Sequence, residues 1–285
     1  MARRRDEIAS DDTETSSKVM TLDNAAIREL ANRARSRTDV WVRLLNEQDA
    51  RSVAEIGVYR GEFAAELLGK CPRIEIYYMV DPWRHLDDWN KPANRSDHEF
   101  GEFLEEATRR TEFAACKRVV LRGKTTEVSD RIPDESLDFA YIDADHSLHG
   151  ICIDLIRIWP KVRQGGWIGG DDFIPTIWQQ HPRFEPTLVF PFALYFAEAV
   201  DARIIALPYS QFLIERSHVP KFEFVDLTGA YANTQLRDQL QAVHVLRVWA
   251  AQLLTPARRL RRRSRRAAGL VTRRLRRFGP TARLK

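Results

Sequence analysis

The sequence predicts an α/β protein whose mostly parallel, seven-stranded sheet carries helices on both faces. Two observations predict this class. Short apolar runs alternate with segments in which apolar residues recur at helical spacing, and strands that alternate with helices favour a parallel sheet. The chain has 285 residues, of which 44% are apolar, and this is enough to bury one large core.

The predicted elements follow one another in a regular order. Residues 1–20 are rich in Ser, Asp and Thr, so we expect them to be disordered. The apolar spacing over residues 22–47 predicts one or two helices. The predicted strands span residues 52–56, 74–80, 118–121, 137–142, 167–169, 203–207 and 211–215, and the helices between the early strands span residues 62–70, 99–115 and 151–162. We expect one domain over residues 21–230, followed by a helical, Arg-rich extension over residues 231–285.

The cysteine spacing and the lengths of the apolar runs indicate the cellular compartment in which the protein works. The three cysteines are widely spaced and odd in number, which indicates neither a disulfide framework nor a zinc site. The basic N-terminus is not followed by an apolar segment, and no run of 18 apolar residues occurs. We therefore expect a reduced, cytoplasmic protein, and the sequence leaves oligomerisation open.

The positive charge is confined to the C-terminal tail. Residues 256–285 contain thirteen Arg or Lys and no acid, so the remainder of the chain carries −8 of the total net charge of +5. The pI of about 9.2 therefore gives no support to nucleic-acid binding by the body of the protein. Leu, Val and Phe interleave with the basic residues. For the tail we keep three interpretations open: peripheral binding to an anionic membrane, nucleic-acid binding and a solvated extension.

The first two predicted strands end in residues suited to a charged ligand. The first runs into AEIGVYRG, in which Glu55, Gly57 and Gly61 precede a helix. Glycines let the backbone turn tightly, and a helix N-terminus offers unpaired N–H groups. The second strand ends in VDPW, where Asp81 can accept hydrogen bonds from both hydroxyls of a ribose. A plain strand-to-helix turn and an Asp-Pro turn are the structural alternatives.

The fourth predicted strand ends in FAYIDADHSLH, which places Asp143, Asp145 and His146 directly after a buried run. His146 is the best candidate for a general base because the ordinary pKa of histidine lies near neutrality. Asp145 either orients His146 or caps the helix that begins near Ser147. After the fifth strand, the Pro- and aromatic-rich segment 174–192 forms either an acceptor-binding wall or packing against the sheet edge.

Four motifs in order, AEIGVYRG, VDPW, LDFAYIDADHS and QGGWIGGDDF, resemble those of class I S-adenosylmethionine-dependent methyltransferases. The resemblance covers roughly residues 51–215 and is nearest to the subgroup that includes macrolide-sugar O-methyltransferases. It implies a Rossmann-like fold with S-adenosylmethionine bound by Glu55, Gly57, Gly61 and Asp81. The chain departs from the family at Tyr59, where many members have Gly. It departs again in RGKTTE, which lacks the usual adenine-contacting acid and leaves Thr125 as our candidate.

The resemblance also implies a metal. In catechol-type O-methyltransferases, which this site resembles, a divalent ion is held by an Asp after the fourth strand and a pair after the fifth. The matching residues are Asp143, Asp171 and Asp172, whose oxygens suit Mg²⁺ or another divalent cation. The implied reaction is metal-assisted O-methylation of a small-molecule or sugar hydroxyl.

Two other functions stay open at this stage. A nucleic-acid methyltransferase docked by the basic tail is one, although DADH stands where amino-methylating enzymes on bases carry Asn/Asp-Pro-Pro-aromatic. A non-catalytic binding module on the same fold is the other. The joint presence of Glu55, Asp81, Asp143, Asp171 and Asp172 favours an enzyme.

Overall fold

The computed structural model describes residues 22–181, 183–232 and 234–240, together with residues 246 and 250. The predicted disorder of residues 1–20 and the predicted role of the Arg-rich tail fall outside these residues and stay predictions. The described residues form the elements α1 (Asn24–Arg33), α2 (Arg37–Glu47), β1 (Ser52–Ile56), α3 (Glu62–Lys70), β2 (Ile76–Asp81), α4 (Asp97–Arg110), β3 (Arg118–Arg122), α5 (Thr125–Val128), β4 (Leu137–Ile142), α6 (Leu148–Ile158), β5 (Val162–Gly170), α7 (Val189–Ala199), β6 (Arg203–Leu207), β7 (Gln211–Glu215), β8 (Glu223–Asp226) and α8 (Leu236–Gln239).

The strands form one sheet in the order β3-β2-β1-β4-β5-β7-β6-β8. Strands β1 to β5 pair in parallel, while β7 runs antiparallel to both β5 and β6. The chain leaves β1 towards β2 and β3 and returns on the other side of β1 as β4, so strand order reverses between β1 and β4. This reversal is where ligands bind in sheets of this kind, and the predicted fold class is confirmed.

Each face of the sheet is covered by its own set of helices. Trp41 of α2, Phe63 of α3 and Phe103 of α4 belong to one buried cluster. Leu155 of α6 and Ala193 of α7 belong to the cluster on the opposite face. Alternating residues of the central strands feed these two clusters, as the period of two in a strand requires. Among the described helices, none is both long and apolar enough to span a membrane.

Serines fix where several of the helices begin. The Ser36 hydroxyl accepts from the backbone N–H of Asp39 and splits the predicted segment 22–47 into α1 and α2. Ser96 forms a reciprocal capping box with Glu99 at the start of α4. Ser147 accepts from the N–H of Gly150 and starts α6 immediately after the His146 loop. This cap fixes the point at which the chain leaves the functional loop.

The structure corrects several of the predicted elements; the helix predicted over residues 99–115, for example, spans Asp97–Arg110. The described part of the sheet has eight strands rather than seven, because the short, half-exposed strand β8 pairs in parallel with β6. Strand β5 begins at Val162 rather than at residue 167, since the predicted helix 151–162 already ends at Ile158, just before Pro160. The segment 174–192 is not entirely loop, because α7 begins at Val189 and holds Pro191 in its first turn, where a proline is tolerated.

Candidate active site at the strand ends

The loop after β1 lies directly against the loop after β4. Gly57 has a φ of +92°, and a Cβ at this position would lie 2.2 Å from the carbonyl oxygen of Asp143. Gly61 has a φ of +72°, and its Cβ would lie 2.8 Å from the Cα of Ala107 in α4. Both glycines are therefore required by backbone conformation and by close approach. The first of these contacts joins the predicted cofactor loop to the predicted chemical site.

Tyr59 occupies the middle of this loop in the left-handed region, with a φ of 53°. Its ring packs on Phe103 at a centroid distance of 4.6 Å, and the Arg60 guanidinium lies 4.3 Å from the centroid of Phe103. Its carbonyl accepts from Trp83 Nε1 at 2.8 Å. These contacts offset the cost of a left-handed non-glycine residue, which is of order 1–3 kcal/mol. The departure from the family motif is thus accommodated by packing against α4.

Asp81 ends β2 and holds the glycine loop through its side chain. Its Oδ2 accepts from the N–H groups of Val58 and Tyr59 at 3.0 and 2.9 Å, and its Oδ1 accepts from Trp83 at 2.8 Å. Burial raises the pKa of Asp81, and these three N–H groups oppose the shift. Each carboxylate oxygen has two acceptor sites, so one site, on Oδ1, remains for a further donor.

Glu55 and Thr125, the other predicted cofactor residues, both bond within the protein. Burial holds the pKa of Glu55 well above its usual range, and Tyr77 donates a 2.8 Å hydrogen bond to its Oε2. The hydroxyl of Thr125 donates to Oδ1 of Asp154 at 2.5 Å. Thr125 follows β3, as predicted, but its hydroxyl is directed to α6. Its assignment to adenine therefore rests on its place in the chain.

The predicted metal ligands pair with two side chains of the protein itself, Arg37 and His146. Nη1 of Arg37 lies 3.2 Å from Oδ2 of Asp143 and also forms an ion pair with Oδ2 of Asp171. Asp171 is further held through Oδ1, which accepts from Gln211 Nε2 at 2.6 Å. Burial, together with the nearby charge of Asp143, raises the pKa of Asp171 despite the opposing charge of Arg37. Asp171 therefore faces Arg37 rather than a shared centre with Asp172.

His146 lies between the two remaining carboxylates. Its Nε2 is 3.3 Å from Oδ1 of Asp143, and its Nδ1 forms an ion pair with Oδ2 of Asp172. Burial alone would lower the pKa of His146, but the adjacent carboxylates of Asp143 and Asp172 outweigh burial and raise the pKa to about 10. In this arrangement the imidazole is protonated at neutral pH and cannot accept a proton.

Asp145 supports the start of α6. Its Oδ1 accepts from the N–H of Ser147 at 2.9 Å and from Nε1 of Trp89 at 3.0 Å, and its Oδ2 accepts from the Ser147 hydroxyl at 2.9 Å. Ser147 itself caps the helix, so Asp145 holds the capping residue in place. The geometry thus supports the capping alternative over the predicted orientation of His146.

The side chains at the strand ends fit a divalent cation. Asp143, His146 and Asp172 each offer one ligand atom, and these atoms all lie within 4.8 Å of one another. With His146 as a ligand the set would suit iron or zinc, whereas the carboxylates without it suit magnesium or manganese. The all-oxygen set predicted from sequence would need Asp171 to leave Arg37.

Three further residues of the site were not predicted from the sequence. Arg37 comes from α2. Gln211, buried in β7, accepts from Trp41 and Tyr141, both at 2.8 Å, and positions Asp171. Lys91 is 6% exposed and donates to the carbonyls of Glu185 and Pro186 at 2.8 and 3.1 Å, which ties the loop after β2 to the segment before α7. Burial lowers the pKa of Lys91. None of the three lies in a motif.

Comparison with known proteins finds a methyltransferase domain in the central part of the chain. A family model described as a methyltransferase domain matches residues 54–173. No curated protein matches the chain. Among solved structures, a putative caffeoyl-CoA O-methyltransferase from Staphylococcus aureus is 12% identical, with 62% of this chain and 82% of that chain covered and a TM-score of 0.48. An O-methyltransferase from Bacillus cereus, in complex with SAH, is 18% identical, with 68% and 80% covered and a TM-score of 0.44.

Proposed function

We propose that this chain, a class I S-adenosylmethionine-dependent methyltransferase, transfers the methyl group to the hydroxyl oxygen of a small molecule or a sugar, with a divalent cation assisting. The observation that carries the proposal is the contact between the two loops at the switch point. Because Gly57 abuts the carbonyl of Asp143, a methyl donor held by residues 57–61 would lie beside the acid and histidine cluster. Proximity of this kind supplies much of the rate of a transfer reaction.

Asp143 and Asp172 would hold the cation, since both present oxygens to the same small volume. A bound divalent cation supplies Lewis acidity that favours loss of the proton from the acceptor hydroxyl. Glu55, Gly57, Gly61 and Asp81 would hold the cofactor, with Thr125 near its adenine.

His146 would take the acceptor proton in its neutral form. Its pKa stays near 10 as long as Asp143 and Asp172 pair with it. The pKa returns towards its ordinary value when those carboxylates serve another cation, because their hydrogen bonds and charges are what raise it. His146 is therefore ready to act as a base only when the metal site is filled.

The test is methyl transfer by the full chain from labelled S-adenosylmethionine to a panel of glycosides, phenols and RNA, with the products identified by mass spectrometry. We expect O-methylated glycosides or phenols, activity lost with chelator and restored by Mn²⁺ or Mg²⁺, and a fall of at least about a hundredfold in His146→Ala. His149→Ala is the matched control, because His149 lies on the exposed surface of α6.

Three results would count against the proposal. Methylation of RNA alone would favour the nucleic-acid alternative. Full turnover in excess chelator would remove the cation from the mechanism. Binding of the cofactor without transfer to any acceptor in the panel would favour a non-catalytic module.

A further inference from the structure

Resting on the proposed function, we infer that the guanidinium of Arg37 is an exchangeable counter-ion, which occupies the place of the divalent cation between Asp143 and Asp171 and competes for them. The carrying observation is that a single atom, Nη1, contacts Oδ2 of both carboxylates. A cation held by the same two carboxylates would have to displace this nitrogen.

The hydrogen bonds of Asp171 show why Arg37 decides whether it can ligate. Its Oδ1 already accepts from Nε2 of Gln211 at 2.6 Å and from the N–H of Asp172 at 2.8 Å. Its Oδ2 is the oxygen that remains for a cation, and Arg37 holds it. Asp171 thus joins Asp143 and Asp172 as a third carboxylate ligand only after Arg37 has moved away.

Arg37 can move without disturbing α2. Its side chain is 45% exposed and belongs to the first residue of the helix, so the guanidinium can turn into water. The helix is fixed elsewhere, because Trp41 is fully buried and donates a 2.8 Å hydrogen bond to Gln211. Trp41 therefore holds α2 in place, while the side chain of Arg37, one turn earlier, is free to move.

The charges around Asp143, Asp171 and Asp172 favour replacement of Arg37 by a divalent cation over binding of the cation beside Arg37. With Arg37 in place, a cationic side chain already contacts Asp143 and Asp171. A divalent cation added to this arrangement would meet Arg37 at close range, where like charges repel. Exchange removes that repulsion and leaves three carboxylates for one ion. Arg37 comes from a helix that precedes residues 54–173, the part of the chain that the family model matches.

The experiment measures Mn²⁺ binding to the metal-free full chain by calorimetry and by the electron paramagnetic resonance signal of free Mn²⁺. We expect Arg37→Gln to bind Mn²⁺ about tenfold more tightly than the wild type, because the competing charge is gone. Arg37→Lys keeps a charge and should stay within about threefold of the wild type. Arg33→Gln is the control, because Arg33 is an exposed residue of α1 that pairs with Glu29 at 3.5 Å. Thermal melts of each variant check the fold.

The outcomes separate this inference from the proposed function. Equal or weaker Mn²⁺ binding by folded Arg37→Gln overturns the competition while leaving the metal site in place. Absence of Mn²⁺ binding in both wild type and variant overturns the competition and the metal assistance together. Methyl transfer to a hydroxyl is measured separately and does not depend on either result.

Discussion

The two halves of the strand-end site are held in different ways. The cofactor half, Gly57–Gly61 with Asp81, is fixed by backbone conformation and by N–H groups that donate to one carboxylate. The other half, Asp143 to His146 with Asp171 and Asp172, is fixed by ion pairs between side chains. We therefore expect the cofactor half to be disrupted mainly by substitutions that change backbone shape, and the other half by substitutions that change charge.

The largest expected effect is that of shape at Gly57. Gly57→Ala combines a φ of +92° with a Cβ placed 2.2 Å from a backbone oxygen, so the loops after β1 and β4 must separate. We expect a loss of at least about 3 kcal/mol in the free energy of unfolding, measured by urea denaturation, with weak cofactor binding. Gly101→Ala in α4 is the control, because no atom lies within 4 Å of the added Cβ. It should stabilise by about 0.5–1 kcal/mol. A neutral Gly57→Ala would contradict the close contact.

Asp154, buried in α6 beneath the strand ends, accepts a hydrogen bond from the hydroxyl of Thr125, and the expected effect of its substitution depends on pH. Burial raises the pKa of Asp154 to about 7. The unfolded chain releases this proton near the ordinary pKa of 3.8 and the folded chain only near 7, so the free energy of unfolding falls as pH rises between these values. The fall is at most about 4 kcal/mol.

Asp154→Asn should remove this pH dependence and leave the variant more stable than the wild type above pH 7. Urea denaturation from pH 5 to pH 8 measures it. The control is Asp130→Asn, a substitution of an exposed acid in the turn after α5, which should leave the dependence unchanged. An unchanged slope in Asp154→Asn would mean that Asp154 is ionised in the folded protein.

Asp81 tests whether the cofactor half depends on one carboxylate. Asp81→Ala removes the acceptor for three backbone N–H groups and for the ribose. We expect cofactor affinity to fall roughly ten- to a hundredfold, which corresponds to about 1.5–3 kcal/mol. Calorimetry with S-adenosylmethionine measures it, with the fully exposed Asp87→Ala as control. Unchanged affinity in a folded variant would rule out the assignment.

The sequence predicted the acids of the site because they follow buried runs, and parallel strands bring their carboxyl ends to one edge. Asp81, Asp143 and Asp171 all lie there, as expected. It could not predict that Arg37 would meet two of them. Helical spacing in α2 identifies the buried side of the helix through Trp41 but does not say which sheet edge receives its first turn.

The other features that the sequence did not predict also have specific physical causes. Gln211 opens a strand of apolar residues, and three of the four hydrogen-bonding partners of its side chain, Trp41, Tyr141 and Asp171, come from distant parts of the chain. Strand β8 has no fully buried residue, so its pattern resembles that of a loop. Lys91 is buried only because two loops meet above it, and single-sequence periodicity carries no information about such a meeting.

The smallest expected effect separates the two interpretations of Asp145. Asp145→Asn keeps an oxygen for the N–H groups of Ser147 and Trp89, and the Ser147 hydroxyl can rotate to accept from the new amide. If Asp145 only supports the cap, stability should change by less than about 1 kcal/mol and turnover by less than about threefold. Asp145→Ala, which removes both oxygens, should cost about 1–2 kcal/mol. Denaturation and the pH dependence of methyl transfer measure these effects. A tenfold loss of turnover in a stable Asp145→Asn, with a shifted pH profile, would return Asp145 to the role of orienting His146.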